Sequence, residues 1–146
     1  MDNNFKKIER ILYDYKYLKL YVENKEKLKN DIENEVPGSI RAVATDSIAV
    51  SRTNNVRSCV ETEVLEKIKE ITKIEKSMYE PRGKIELIEK TLENMQPIYK
   101  ELFEEKYIKE QRVDKIAQEM HVSEKTVYNL RNKLVKAMEL AFFGGR

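Results

Sequence analysis

Between residues 124 and 129 the chain carries Glu124, Lys125, Tyr128 and Asn129, which offer a carboxylate, an ammonium, a phenol and a primary amide within two helical turns. These groups read base edges: lysine donates to guanine O6 and N7, asparagine pairs bidentately with adenine, and glutamate accepts from cytosine N4. Tyr128 can bond a phosphate or pack on a thymine methyl. Lys115, Lys133 and Lys136 suit phosphate oxygens, which fix the register of a protein on a duplex without reading its sequence. Arg131 continues the positive run, while Ser123 and Thr126 stand at a helix start, where backbone N–H groups favour a phosphate. We therefore expect Glu124, Lys125, Tyr128 and Asn129 to read bases. Lys115, Ser123, Thr126, Arg131, Lys133 and Lys136 are expected to bind the DNA backbone. Catalysis finds no comparable footing. One histidine, His121, and one cysteine, Cys59, accompany neither a glycine-rich phosphate loop nor a nucleophile elbow, so no enzyme, metal site or cofactor is expected.

Such side chains need a rigid carrier, and residues 113–130 read as two short amphipathic helices joined by a tight turn. Val113, Ile116 and Met120 form a buried stripe, and Ala117 is small where two helices must approach closely. His121-Val122 makes the turn, at a place where many such turns hold glycine; histidine is among the residues that tolerate positive φ. Val122 is an apolar plug, Ser123 a cap, and Val127, Leu130 and Leu134 the inner face of the second helix. This is helix-turn-helix grammar, which presents the second helix to the major groove. Double-stranded DNA is the expected partner.

The wider chain is expected to be all-α. It has 146 residues, 37% of them charged, with four Gly, three Pro and no Trp, a composition of long helices rather than of turn-rich sheets. The formal charge of +2 supplies no global polycation, so attraction for nucleic acid must be local. Residues 61–110 hold thirteen acids against ten basic residues, and residues 111–146 seven basic residues against four acids. The polarity switches where the motif begins. A lone cysteine suits a reducing cytoplasm, and neither a signal peptide nor a membrane partner is expected.

Residues 1–36 read as one long helix for assembly or partner contact, with an apolar stripe of Phe5, Ile8, Leu12, Tyr15, Leu18, Val22, Leu28 and Ile32. Tyr13, Tyr15, Tyr17 and Tyr21 thicken it. The stripe must pack on another helix of the chain or on a second copy, so a homodimer through the N-terminal helices is one of two open expectations. Pro37-Gly38 ends this helix, and residues 37–57 read as a linker or mobile loop. Residues 58–95 form middle helices, opened by a capping box at Ser58-Cys59-Val60-Glu61 and kinked or broken at Glu80-Pro81-Arg82-Gly83. Residues 96–146, starting near Pro97, make the helix-turn-helix domain.

Tyr107 through Phe143 resembles region 4 of the sigma-70 family, and still more the C-terminal domain of the RinA/ArpU phage transcriptional regulators. The residues that carry the resemblance are Leu102 and Tyr107, Lys115-Ile116-Ala117, Val122-Ser123-Glu124-Lys125-Thr126-Val127, Lys133-Leu134 and Met138, with the ending Ala141-Phe142-Phe143-Gly144. It implies a phage or prophage activator of late genes, acting on promoter DNA in the cytoplasm of a bacterial host and touching RNA polymerase. Glu124 stands where sigma-like recognition helices often carry arginine, and no segment resembles the regions that melt promoter DNA. The resemblance therefore does not extend to a self-sufficient sigma factor. A helical adaptor and a phage terminase small subunit are the alternative readings.

Overall fold

A computed structural model describes residues 2–35 and 55–144, and all of its regular elements among these are helical. In chain order they are α1 (Asp2–Glu35), α2 (Asn55–Glu93), α3 (Pro97–Phe103) running into a π turn (Glu104–Ile108), α4 (Val113–Met120) and α5 (Glu124–Phe143). The expected linker falls mostly outside the described residues. Its last three positions belong to α2, which opens at Asn55 rather than at Ser58. Among the described residues no helix is long and apolar enough to cross a membrane.

Of the two expectations at Pro81, a kink or a break, the break does not occur: α2 runs through the proline. Proline inside a helix removes one backbone hydrogen bond and crowds the preceding turn, at a cost of about 3 kcal/mol. Packing on both sides opposes that cost: Ile74 and Met78 are buried before the proline, Ile88 and Leu92 after it. The chain divides at this point into two compact units, one of Met1–Leu20 with Pro81–Arg146, the other of Tyr21–Glu80.

The first unit is built on one cluster in which Ile8, Leu12 and Tyr15 of α1 join Leu102, Phe103, Tyr107, Ile116, Val127, Leu134, Val135 and Met138. The apolar stripe of α1 is thus covered here by the chain itself. Tyr13 and Tyr15 turn inward: the Tyr13 ring meets Tyr107 at 4.8 Å, and the Tyr15 ring meets Phe103 at 5.1 Å, both edge to face. The Tyr107 hydroxyl donates to Glu9 Oε2 at 2.7 Å, and the Tyr15 hydroxyl donates to Glu89 Oε2 at 2.6 Å. Burial, then the bond to a carboxylate, pushes both phenols well above the ordinary phenol range.

The π turn widens the helix end that carries Tyr107, and Lys109 N–H reaches back five residues to the Glu104 carbonyl at 2.9 Å. Lys16 secures the exit from this turn. Its ammonium donates to the Ile108 carbonyl at 3.2 Å and pairs with Glu110, whose φ of 51° is left-handed. The bond to Glu110 raises the Lys16 pKa.

In the second unit Ile32, Ile74 and Met78 form a small core flanked by Val22 and Ile71. The ion pairs Lys29–Glu75 at 2.6 Å and Glu35–Lys67 at 3.5 Å show that its parts of α1 and α2 run antiparallel. Such surface pairs set register more than stability.

Because Ile8 has no exposed surface, Ile8→Ala is expected to lower the unfolding free energy by about 2–5 kcal/mol, read from urea denaturation followed by circular dichroism. A loss below about 1 kcal/mol would show that α1 is not part of this core.

Candidate nucleic-acid interface

The site is made by α4, α5 and the turn between them. Ile116, Ala117 and Met120 bury one side of α4, while Val127, Leu134, Val135 and Met138 bury one side of α5. The two helices meet through a left-handed residue: His121 has φ 56° and ψ 45°. Its N–H donates to the Gln118 carbonyl at 3.3 Å, and the Val122 N–H donates to the Ala117 carbonyl at 3.0 Å. This is a Schellman closure, with Val122 folded onto the core behind it. Ser123 then opens α5 from extended backbone, and its Oγ accepts the Thr126 N–H at 3.1 Å. The turn, plug and cap follow the sequence expectations residue by residue.

Helical spacing sets which side chains face away from that core. Lys125, Asn129, Asn132 and Lys136 recur at steps of four, three and four, and all are exposed. Glu124 and Tyr128 flank this stripe, with Tyr128 44% exposed. Lys133 is exposed on its other margin, and Lys115 is exposed on α4. Lys115, Lys125, Lys133 and Lys136 make no ion pair among the described residues, so four ammonium groups around the turn and α5 keep their donors free of a carboxylate partner. Ser123 and Thr126 are joined through their hydroxyls at 2.9 Å and spend part of their capacity on the cap.

Arg131 lies differently. Its guanidinium sits 5.1 Å from the Phe5 ring centroid and 5.2 Å from that of Tyr128. Nε and Nη2 donate to Asn132 Oδ1 at 3.3 and 2.9 Å. It leans along the flank of α5 towards α1 and stands between rings rather than free in solvent. The structure thus brings Glu124, Lys125, Tyr128 and Asn129 to one surface and holds Arg131 at its edge. Asn132 was absent from the sequence-derived set, although its place seven residues after Lys125 on the same stripe is a readable signal. Phe5 was absent too, and no local pattern links it to residue 131. Among the described residues no group of histidine, cysteine and carboxylate side chains is arranged to hold a metal.

Residues 85–138 match the family model for sigma-70, region 4. The segment runs from the last turns of α2 through α3 and α4 to the buried stretch of α5. It is a sigma-70 region 4-like helix-turn-helix. Comparison of the chain with curated proteins and with solved structures gave no match.

Ala117 is 6% exposed at the helix–helix approach. Ala117→Leu is therefore expected to cost about 1–3 kcal/mol through overpacking. A melting curve that superposes on the wild type would contradict this placement.

Proposed function

We propose that the protein is a sequence-specific double-stranded DNA-binding regulator of transcription, with α5 lying in the major groove. The observation that carries this reading is the outer stripe of α5. It sets Lys125, Asn129, Asn132 and Lys136, flanked by Glu124 and Tyr128, opposite a fully apolar inner face and just after a capped turn. Region 4 of sigma-70 is a DNA-binding module, and the family match over these residues supports the same use here. In this reading Glu124, Lys125, Tyr128 and Asn129 meet base edges. Lys115, Lys133 and Lys136 neutralise phosphates, and Ser123, Thr126 and Arg131 add backbone contacts at the helix start and flank.

The likeness to RinA/ArpU regulators extends the proposal to late-gene activation in a phage or prophage, with RNA polymerase as a protein partner on promoter DNA. The layout of the chain supports this: a long N-terminal helix, a middle segment, and the helix-turn-helix last. In the same proposal residues 96–146 provide the DNA-reading helices and residues 1–36 serve assembly. One recognition helix reads few base pairs, and a second copy supplies a second half-site. In the first unit the inner side of α1 is occupied by the chain's own residues, so the homodimer contact falls on its outer side there, where Tyr17 and Leu20 are exposed.

Selection from a random duplex pool is expected to enrich a defined sequence. In competition against random DNA, Lys125→Ala and Asn129→Ala are expected to relax sequence preference by about 1–3 kcal/mol per lost contact. Lys133→Ala should weaken binding to every sequence and reduce the salt slope by about one. Unchanged competition in both Lys125→Ala and Asn129→Ala overturns α5 as the reading helix. For the dimer, light scattering at micromolar concentration is expected to give twice the chain mass, and Leu20→Glu to halve it. A monomer both with and without DNA refutes that contact.

A further inference from the structure

Arg131 is held from three directions. One ring face comes from Phe5 on α1, one from Tyr128 on α5, and Asn132 Oδ1 takes two of its N–H donors. A guanidinium carries five donors in a fixed plane. Three of them therefore keep no partner among the described residues, on a head group whose direction is already set. Cation–π contacts within about 6 Å of a centroid are attractive, and the planar guanidinium stacks on rings where an ammonium cannot. The arrangement also acts on Tyr128. Its half-exposed ring has the guanidinium on one side, and that cation is braced from behind by Phe5.

Phe5 differs from its neighbours on the inner side of α1. Ile8 and Leu12 have no exposed surface, whereas Phe5 is only partly buried at the margin of the cluster. Its ring faces a cation and not only aliphatic carbon.

We propose that Phe5 is a positioning residue of the DNA-reading surface: with Asn132 it holds the Arg131 guanidinium against Tyr128, so that phenol and guanidinium meet the duplex as one preformed element. This rests on α5 being the DNA-facing helix. Phe5 itself touches no DNA; it acts through Arg131, and its contribution is the orientation that Arg131 and Tyr128 no longer have to acquire on binding. The reading surface then depends on a residue eighty positions before the family-matched segment 85–138 begins. Specificity at the base pair facing Tyr128 is set partly by α1.

The test uses the full chain and the duplex enriched from the random pool, at a temperature where every variant is folded by circular dichroism. Phe5→Leu keeps most of the apolar volume and removes the ring. It is expected to weaken binding to the selected duplex about three- to tenfold, with the larger part of the loss falling on preference at the base pair facing Tyr128. Phe5→Tyr keeps the ring and should bind like the wild type. Arg131→Lys should weaken binding similarly, and the double variant Phe5→Leu/Arg131→Lys should be no weaker than Arg131→Lys alone. In the free protein the Arg131 Nε–H resonance, shifted by two rings, should move towards its random-coil position in Phe5→Leu. If Phe5→Leu does not fold, Phe5→Met takes its place in the same cycle.

Wild-type-like binding by Phe5→Leu overturns the proposal, and so does a double variant that loses the product of the two single effects. In either case, loss of preference in Lys125→Ala or Asn129→Ala leaves α5 standing as the reader. A wild-type chain that enriches no duplex overturns both.

Discussion

The unit that holds the helix-turn-helix depends on the burial of α1 against helices almost a hundred residues away in sequence. Ile8, Leu12 and Tyr15 close a core whose other walls are Phe103, Tyr107, Ile116, Leu134 and Met138. The short helices α3 and α4 have 7 and 8 residues, too few to be stable alone in water, where isolated helices below about 12–15 residues are marginal. Their order comes from what they bury. Tyr107 concentrates this dependence: its ring meets Tyr13, its hydroxyl binds Glu9, and the π turn gives it room. The helix-turn-helix is therefore not a free-standing attachment. Its core and the margin of its outer surface include residues from the start of the chain, and Lys16 of α1 holds the exit from the π turn that precedes it.

What could be read from the sequence follows the range of the interactions concerned. His121, Val122 and Ser123 obey rules that operate over three to five residues, and the turn, plug and cap appear as those rules require. The inner and outer sides of α5 follow from helical periodicity in the same way. Tyrosines were harder to place. Tyr13 and Tyr15 pack inward while Tyr17 and Tyr21 face out, and a side chain with an apolar body and a polar tip satisfies either position. At Pro81 the local pattern left a kink or a break open; the penalty of the proline is local, whereas the burial of Ile74, Met78, Ile88 and Leu92 that favours a continuous helix is tertiary. The contact of Phe5 with Arg131 had no sequence signal at all, since two residues so far apart meet only once the whole unit has folded.

Charge shows the same contrast between local and global. A formal balance of +2 over the chain would not draw a protein to a polyanion. Lysines at positions 115, 125, 133 and 136 are concentrated around α4 and α5, however, and make no ion pairs among the described residues. Some lysines of α1 and α2 are paired in place, as Lys29 is with Glu75, Lys67 with Glu35 and Lys16 with Glu110. Fields of exposed charges act within about 10 Å at 0.1 M salt, so the local arrangement of these lysines matters more than the balance of the whole chain.

Two non-glycine residues with left-handed backbone bracket α4, Glu110 three residues before its first position and His121 directly after its last. Glycine at either position would relax the native geometry, but it would also enlarge the set of conformations open to the denatured chain. A glutamate and a histidine narrow that ensemble, so less disorder is surrendered when the segment folds. The orientation of α4 is thus supported from both states of the protein: by the bonds that Lys16, Ala117 and Gln118 make when it is folded, and by the poverty of alternatives when it is not.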